Sequence, residues 1–119
     1  MRSRDMTLRL KRFTAEEKAA KVRDLESMIR DFDHMVADLD RQILAEEKRT
    51  GIADRSHFGY STIAKSASTR RENLRTSLAD LREQLATATR EYEEARAELG
   101  KLQGTDSGTQ GGTTARRSA

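Results

Sequence analysis

One pattern constrains this chain more than any other. From Tyr60 through Ala64, Ala67, Arg71, Leu74, Leu78, Leu81, Leu85, Ala88, Tyr92, Ala95 and Leu99 to Leu102, steps of four and three residues alternate without a slip, and only Arg71 is not apolar. At 3.6 residues per turn such positions form one stripe along a helix, whereas a strand would need alternation with period two. The first half carries a second array: Val22, Leu25, Ile29, Phe32, Val36, Leu39 and Ile43. Ala15 and Leu8 keep its phase upstream, where Lys18 and Lys11 interrupt it. The chain has no proline, so the usual helix breaker is missing.

Two matched stripes in one chain predict an all-α fold, an antiparallel two-helix coiled-coil hairpin. A fold in the connector pairs Ile43 with Ala67, Val36 with Leu74, Phe32 with Leu78, Ile29 with Leu81, Leu25 with Leu85 and Val22 with Ala88. A register displaced by one heptad also keeps the stripes together. Leu25, Phe32, Leu39, Arg71, Leu78 and Leu85 are therefore the residues expected to set core and register. Gly51, after the basic "KRT", is a helix stop signal. The hairpin is expected over residues 1–103, with a helix over about 6–50, a connector at 51–60 and a helix over about 61–103; Ser61 is favoured over Asp54 as the second helix's cap. The last sixteen residues, "GTDSGTQGGTTARRSA", hold four of the seven glycines and no large apolar residue. They are expected to be a disordered tail, 104–119.

Composition agrees. Charged residues make up 36% and aromatic residues 4%, which suits a long coiled coil better than a compact globular core. With no cysteine there is no disulfide framework or zinc-cluster motif, which is neutral to mildly cytosolic evidence. No stretch approaches the roughly 20 apolar residues that span a bilayer, and the basic N-terminus lacks the apolar core of a secretory signal. Asp31, His34 and Asp38 share a helical face at spacings that can ligate a metal. A bundle site needs further ligands from a facing helix, and no second such motif exists, so a solvated charged face is expected. No phosphate loop or nucleophile motif is present, and neither enzymatic activity nor a cofactor is expected.

The net charge of +3 is uneven. Residues 1–12 carry five Lys/Arg against one acid, and residues 13–50 carry seven against ten. Arg9, Lys11 and Arg12 lie beside Met6, Leu10 and Phe13, which sit at helical spacing but out of phase with the main stripe and should face elsewhere. A basic amphipathic helix end of this kind suits a protein or membrane surface. Arg71 has two readings: its stem lies along the seam and its head reaches water, or it pairs with Asp38 or Asp40 across it. In "RSHFGYS", His57, Phe58 and Tyr60 either cover the end of the seam or present aromatic anchors to a partner.

The order "SRDMTLRLKRF", then "DFDHMVADLDRQILAEEKRTGIADRSHFGYS", then "RRENLRTSLADLREQL" resembles the flagellar export protein FliJ family in its alphaproteobacterial form, over about residues 1–103. The connector, "GIADRSHFGY", is its most specific part; Arg55 and Ser61 stand where proline is expected, and the glycine-rich tail is extra. The resemblance implies a soluble component of the flagellar type III protein export apparatus, cytoplasmic and peripheral at the inner face of the cell membrane, serving motility. It implies a coiled-coil stalk acting with the hexameric export ATPase, the membrane-embedded export gate and the chaperones of export substrates. His57, Phe58 and Tyr60 would then meet one partner, and Arg9, Lys11, Arg12 and Phe13 another. The rival readings are a structural or dimerising coiled-coil adaptor and a nucleic-acid-binding arm. Against the latter, basic and acidic residues interleave through both helices, leaving no continuous track for phosphates.

Overall fold

A computed structural model describes the backbone of residues 2–118 and the side chains of residues 3–104. It contains two helices, α1 (Arg2–Thr50) and α2 (Thr62–Ser118), joined by a short connector. The chain is all-α and folds as an antiparallel helical hairpin, as the two arrays require. Helix α1 begins ahead of the start expected near residue 6, and α2 extends past the end of its apolar array at Leu102. The tail expected at 104–119 falls, apart from Gly104, outside the described side chains.

Helix contacts divide the hairpin into two units, residues 25–84 around the connector and residues 1–24 with 85–119 around the termini. In the connector unit, Leu25, Leu39, Ile43, Tyr60, Ala64, Ala67, Leu78 and Leu81 are buried, and Phe32, Leu74 and Arg71 are half-buried. In the terminal unit, Ala15 and Ala88 are buried, and Leu8, Val22, Leu85, Leu99 and Leu102 are half-buried. Every described residue of the two arrays is thus at least partly buried. The exposed large apolar residues (Met6, Leu10, Phe13, Met28, Met35, Leu44, Phe58 and Ile63) all lie outside the arrays.

Cross-helix ion pairs fix direction and register within each unit. In the terminal unit, Lys11 Nζ reaches Glu98 at 3.0 Å and Lys18 Nζ reaches Glu91 at 2.9 Å. Seven residues forward on α1 match seven residues backward on α2, the signature of an antiparallel pair. In the connector unit, Arg71 donates to Asp40 at 2.7 Å and Arg82 to Asp33 at 3.3 Å. Lys11, Lys18 and Arg71 are the cations that interrupt the apolar arrays, and each is matched by a carboxylate of the other helix. Of the two candidates for Arg71, Asp40 is the partner; Asp38 instead pairs with Arg41 on its own helix. The Arg71 side chain is only 18% exposed, and its Nε has no hydrogen-bond partner in the structure.

Both ends of the connector are set by local chemistry. Gly51 has φ 72°, in the left-handed region that a side chain disfavours, and its N–H donates to the Glu47 carbonyl at 2.9 Å. This closes the last turn of α1, after the basic Lys48 and Arg49 that favour a helix C-terminus. Ile52 then packs onto the cluster of Leu39, Ile43, Tyr60, Ala64 and Ala67. Helix α2 is capped by Ser61, whose Oγ accepts the Ala64 N–H at 3.2 Å.

The seam ion pair yields a test. Asp40→Ala leaves the Arg71 charge half-buried without its partner and should lower stability by about 1–2 kcal/mol in urea unfolding, between the values for exposed and buried pairs. Arg71→Leu removes the charge together with an Nε that makes no hydrogen bond and should raise the melting temperature. An Asp40→Ala protein as stable as the parent would show that the pair contributes nothing to the seam.

Candidate partner-binding surfaces

The connector is built by short-range hydrogen bonds. One carboxylate oxygen of Asp54 accepts from the Ser56 N–H at 3.0 Å and from the Ser56 hydroxyl at 2.7 Å. These bonds, the hydroxyl's first, hold the Asp54 carboxyl below its ordinary range. The Asp54 carbonyl accepts the His57 N–H at 3.1 Å, and the His57 carbonyl accepts the Tyr60 N–H at 3.0 Å. The Gly59 N–H donates to His57 Nδ1 at 2.9 Å, which places the proton of a neutral ring on Nε2. A Cβ on Gly59 would come within 3.0 Å of the Ile52 side chain and 3.2 Å of the His57 ring, so any larger residue would have to displace them by a few tenths of an ångström.

This geometry separates the three residues proposed for the tip. Phe58 is 99% exposed and stacks on His57, with ring centroids 4.7 Å apart and planes at 19°. Tyr60 is 5% exposed, and its hydroxyl donates to Glu47 at 2.7 Å. Tyr60 is thus part of the seam and not a docking group, because its heptad position draws the ring inward. The exposed aromatic surface of the connector is His57 and Phe58 alone. The carboxylate of Glu47, followed by burial, raises the Tyr60 phenol above its ordinary value.

In the terminal unit, Met6, Leu10 and Phe13 are 62%, 63% and 59% exposed, an apolar stripe on the outer side of α1. Arg9 and Arg12 are exposed beside it and make no ion pair among the described residues. Lys11, proposed with them as a contact residue, points instead across the seam to Glu98. The same geometry at Lys18 holds Glu91 below its ordinary range, chiefly through the lysine's hydrogen bond.

Among the described residues no group of three or more His, Asp or Glu side chains is placed to hold a metal ion, and no helix is long and apolar enough to cross a membrane. Asp31 and His34 lie exposed on α1 and Asp38 is engaged by Arg41. Sequence reasoning missed Glu47 as the partner of Tyr60; the spacing of Asp33, Asp40 and Glu47, seven residues apart on one flank of the seam, was the signal that could have revealed it. Comparison with family models, curated proteins and solved structures gives no match.

The two aromatic residues should respond differently to truncation. Phe58→Ala should leave stability unchanged within about 0.5 kcal/mol, as for an exposed surface residue. Tyr60→Ala should lower the melting temperature by roughly 10 °C or more, because it opens a cavity in the seam. A phenol whose pKa is raised on folding contributes stability that is present below about pH 10 and lost as pH rises through the folded value. Tyr60→Phe should therefore lose less stability than the parent between neutral and strongly alkaline pH, read by thermal melts. Equal alkaline losses in the two proteins would contradict the hydrogen bond to Glu47.

Proposed function

We propose that this chain is a non-enzymatic component of the flagellar type III protein export apparatus, a cytoplasmic coiled-coil stalk that escorts export chaperones. It works with the hexameric export ATPase and meets the inner face of the cell membrane only through the export gate. The observation that carries this reading is the connector, "GIADRSHFGY", set between two long apolar arrays and resembling the FliJ family there. Generic coiled coils do not share this sequence. Two features support the reading: Phe58 projects into solvent at the connector, and the outer stripe of Met6, Leu10 and Phe13 stands with the exposed cations Arg9 and Arg12. Each has the character of a protein contact, one aromatic and one apolar with charge.

His57→Ala with Phe58→Ala tests the connector. The pair should keep the parent's helix content and weaken binding to the export gate's cytoplasmic domain or to the ATPase by about 100-fold, the scale of an aromatic anchor with its neighbour. Cells carrying it should swim poorly in soft agar. Arg9→Glu with Arg12→Glu should disturb a different partner, with a loss that depends on salt. A connector variant that folds, accumulates and swims normally would remove the basis for the proposal.

A further inference from the structure

The two flanks of the seam in the connector unit differ. On one flank, α1 presents Asp33, Asp40 and Glu47; the first two reach across to Arg82 and Arg71 of α2, and Glu47 meets Tyr60 of the connector. On the other flank, the positions at the same spacing are Met28, Met35 and Gln42, opposite Ile63, Arg70 and Ser77. No cross-helix hydrogen bond or ion pair is found there among the described residues. Met28, Met35 and Ile63 are 44%, 46% and 48% exposed. The helices leave a groove along this flank, enclosing about 580 Å³ where Phe32, Met35, Leu39 and Leu74 line it. A neighbouring hollow continues past Met28 and Leu81, and another past Gln42 and Ile63.

We infer that this groove is a docking site for a basic amphipathic helix of a partner protein. Its floor is apolar, with Phe32 at its centre and methionines, which adapt to varied side chains, along one wall. The α2 wall carries Ser66, Asn73 and Ser77, side chains short enough to let a third helix approach. The rim is acidic by one charge: Asp38 and Asp80 line the groove and Asp31 lies on the same flank of α1, against Arg70 and the Arg41 that pairs with Asp38. Asp31 makes no ion pair among the described residues, and Asp80 is met only by the neutral Gln84. Apolar residues at i, i+3, i+4 and i+7 on the incoming helix would fill the floor, and flanking Lys or Arg would meet the rim. From Met28 to Gln42 the groove runs about 21 Å, or about 14 residues of helix. A second copy laid with the same flank inward would bring acidic rim against acidic rim, which disfavours self-association there.

The test uses two fluorescent 18-residue helical peptides of leucine and lysine or of leucine and glutamate, with leucine in the stated pattern, titrated with the full chain by anisotropy. The lysine peptide is expected to bind, and the glutamate peptide to bind at least tenfold more weakly. Met28→Lys with Met35→Lys should weaken the lysine peptide tenfold or more. The charge-matched control His34→Lys with Thr69→Lys, on the outer faces, should weaken it less than threefold. All substituted residues are exposed, and circular dichroism confirms folding. Equal losses in the two variants, or equal binding of both peptides, would overturn the groove as the site. So would sedimentation showing a dimer of the chain that Met28→Lys with Met35→Lys dissociates.

Discussion

The hairpin depends on how its seam tolerates charge. An apolar stripe repeating every seven residues is indifferent to a slide of one heptad, because every large residue finds another large residue. Three cations break that indifference. Lys11, Lys18 and Arg71 occupy seam positions, and each has a carboxylate of the other helix within 3.0 Å. A slide of seven residues carries each cation about 10 Å from its partner, and Arg71, the most enclosed, would keep only its longer 3.8 Å contact with Glu72 of its own helix. The leucines drive the helices together; the charges select which leucines meet.

The connector follows from that register. With Ile43 and Ala67 in the same buried cluster, the chain must turn between Thr50 and Thr62, and the sequence supplies the means. Gly51 takes the left-handed conformation, Asp54 and His57 bind the turn's N–H groups, and Ser61 restarts the helix. Tyr60 faces inward because it is the first member of the second array. That leaves Phe58 outside the turn, exposed and stacked on His57.

Much of this is legible in the sequence because seven-residue periodicity is one-dimensional. Leu25, Leu39, Leu78 and Leu81 announce their burial by spacing alone, and the outward stripe of Met6, Leu10 and Phe13 by its different phase. Gly51 and Ser61 are legible as stop and cap for the same reason: each acts on backbone groups within four residues. What spacing leaves open depends on the partner helix. The choice between Asp38 and Asp40 for Arg71, and the inward hydroxyl bond of Tyr60 to Glu47, require the register. So does the contrast between the flank bridged by Asp33, Asp40 and Glu47 and the flank left to Met28 and Met35. Lys11 reads in the sequence both as an interruption of the array and as one of a basic cluster, and only its ion pair with Glu98 assigns it to the seam.

Cysteine crosslinking tests the register most directly, because the chain has no native cysteine. With one cysteine at Gln42, a second is placed in turn at Ile63, Arg70 or Ser77, residues one heptad apart on the same flank of α2. A bis-maleimide spanning about 8 Å is shorter than the rise of one heptad, about 10 Å, and so resolves neighbouring registers. The account predicts crosslinking of Gln42 with both Ile63 and Arg70, which line one hollow with it, and slow reaction with Ser77. Faster reaction at Ser77 than at Ile63, or reaction at Ile63 without Arg70, would show a hairpin slipped by a heptad, with Arg71 no longer facing Asp40, and would contradict a register chosen by the seam cations.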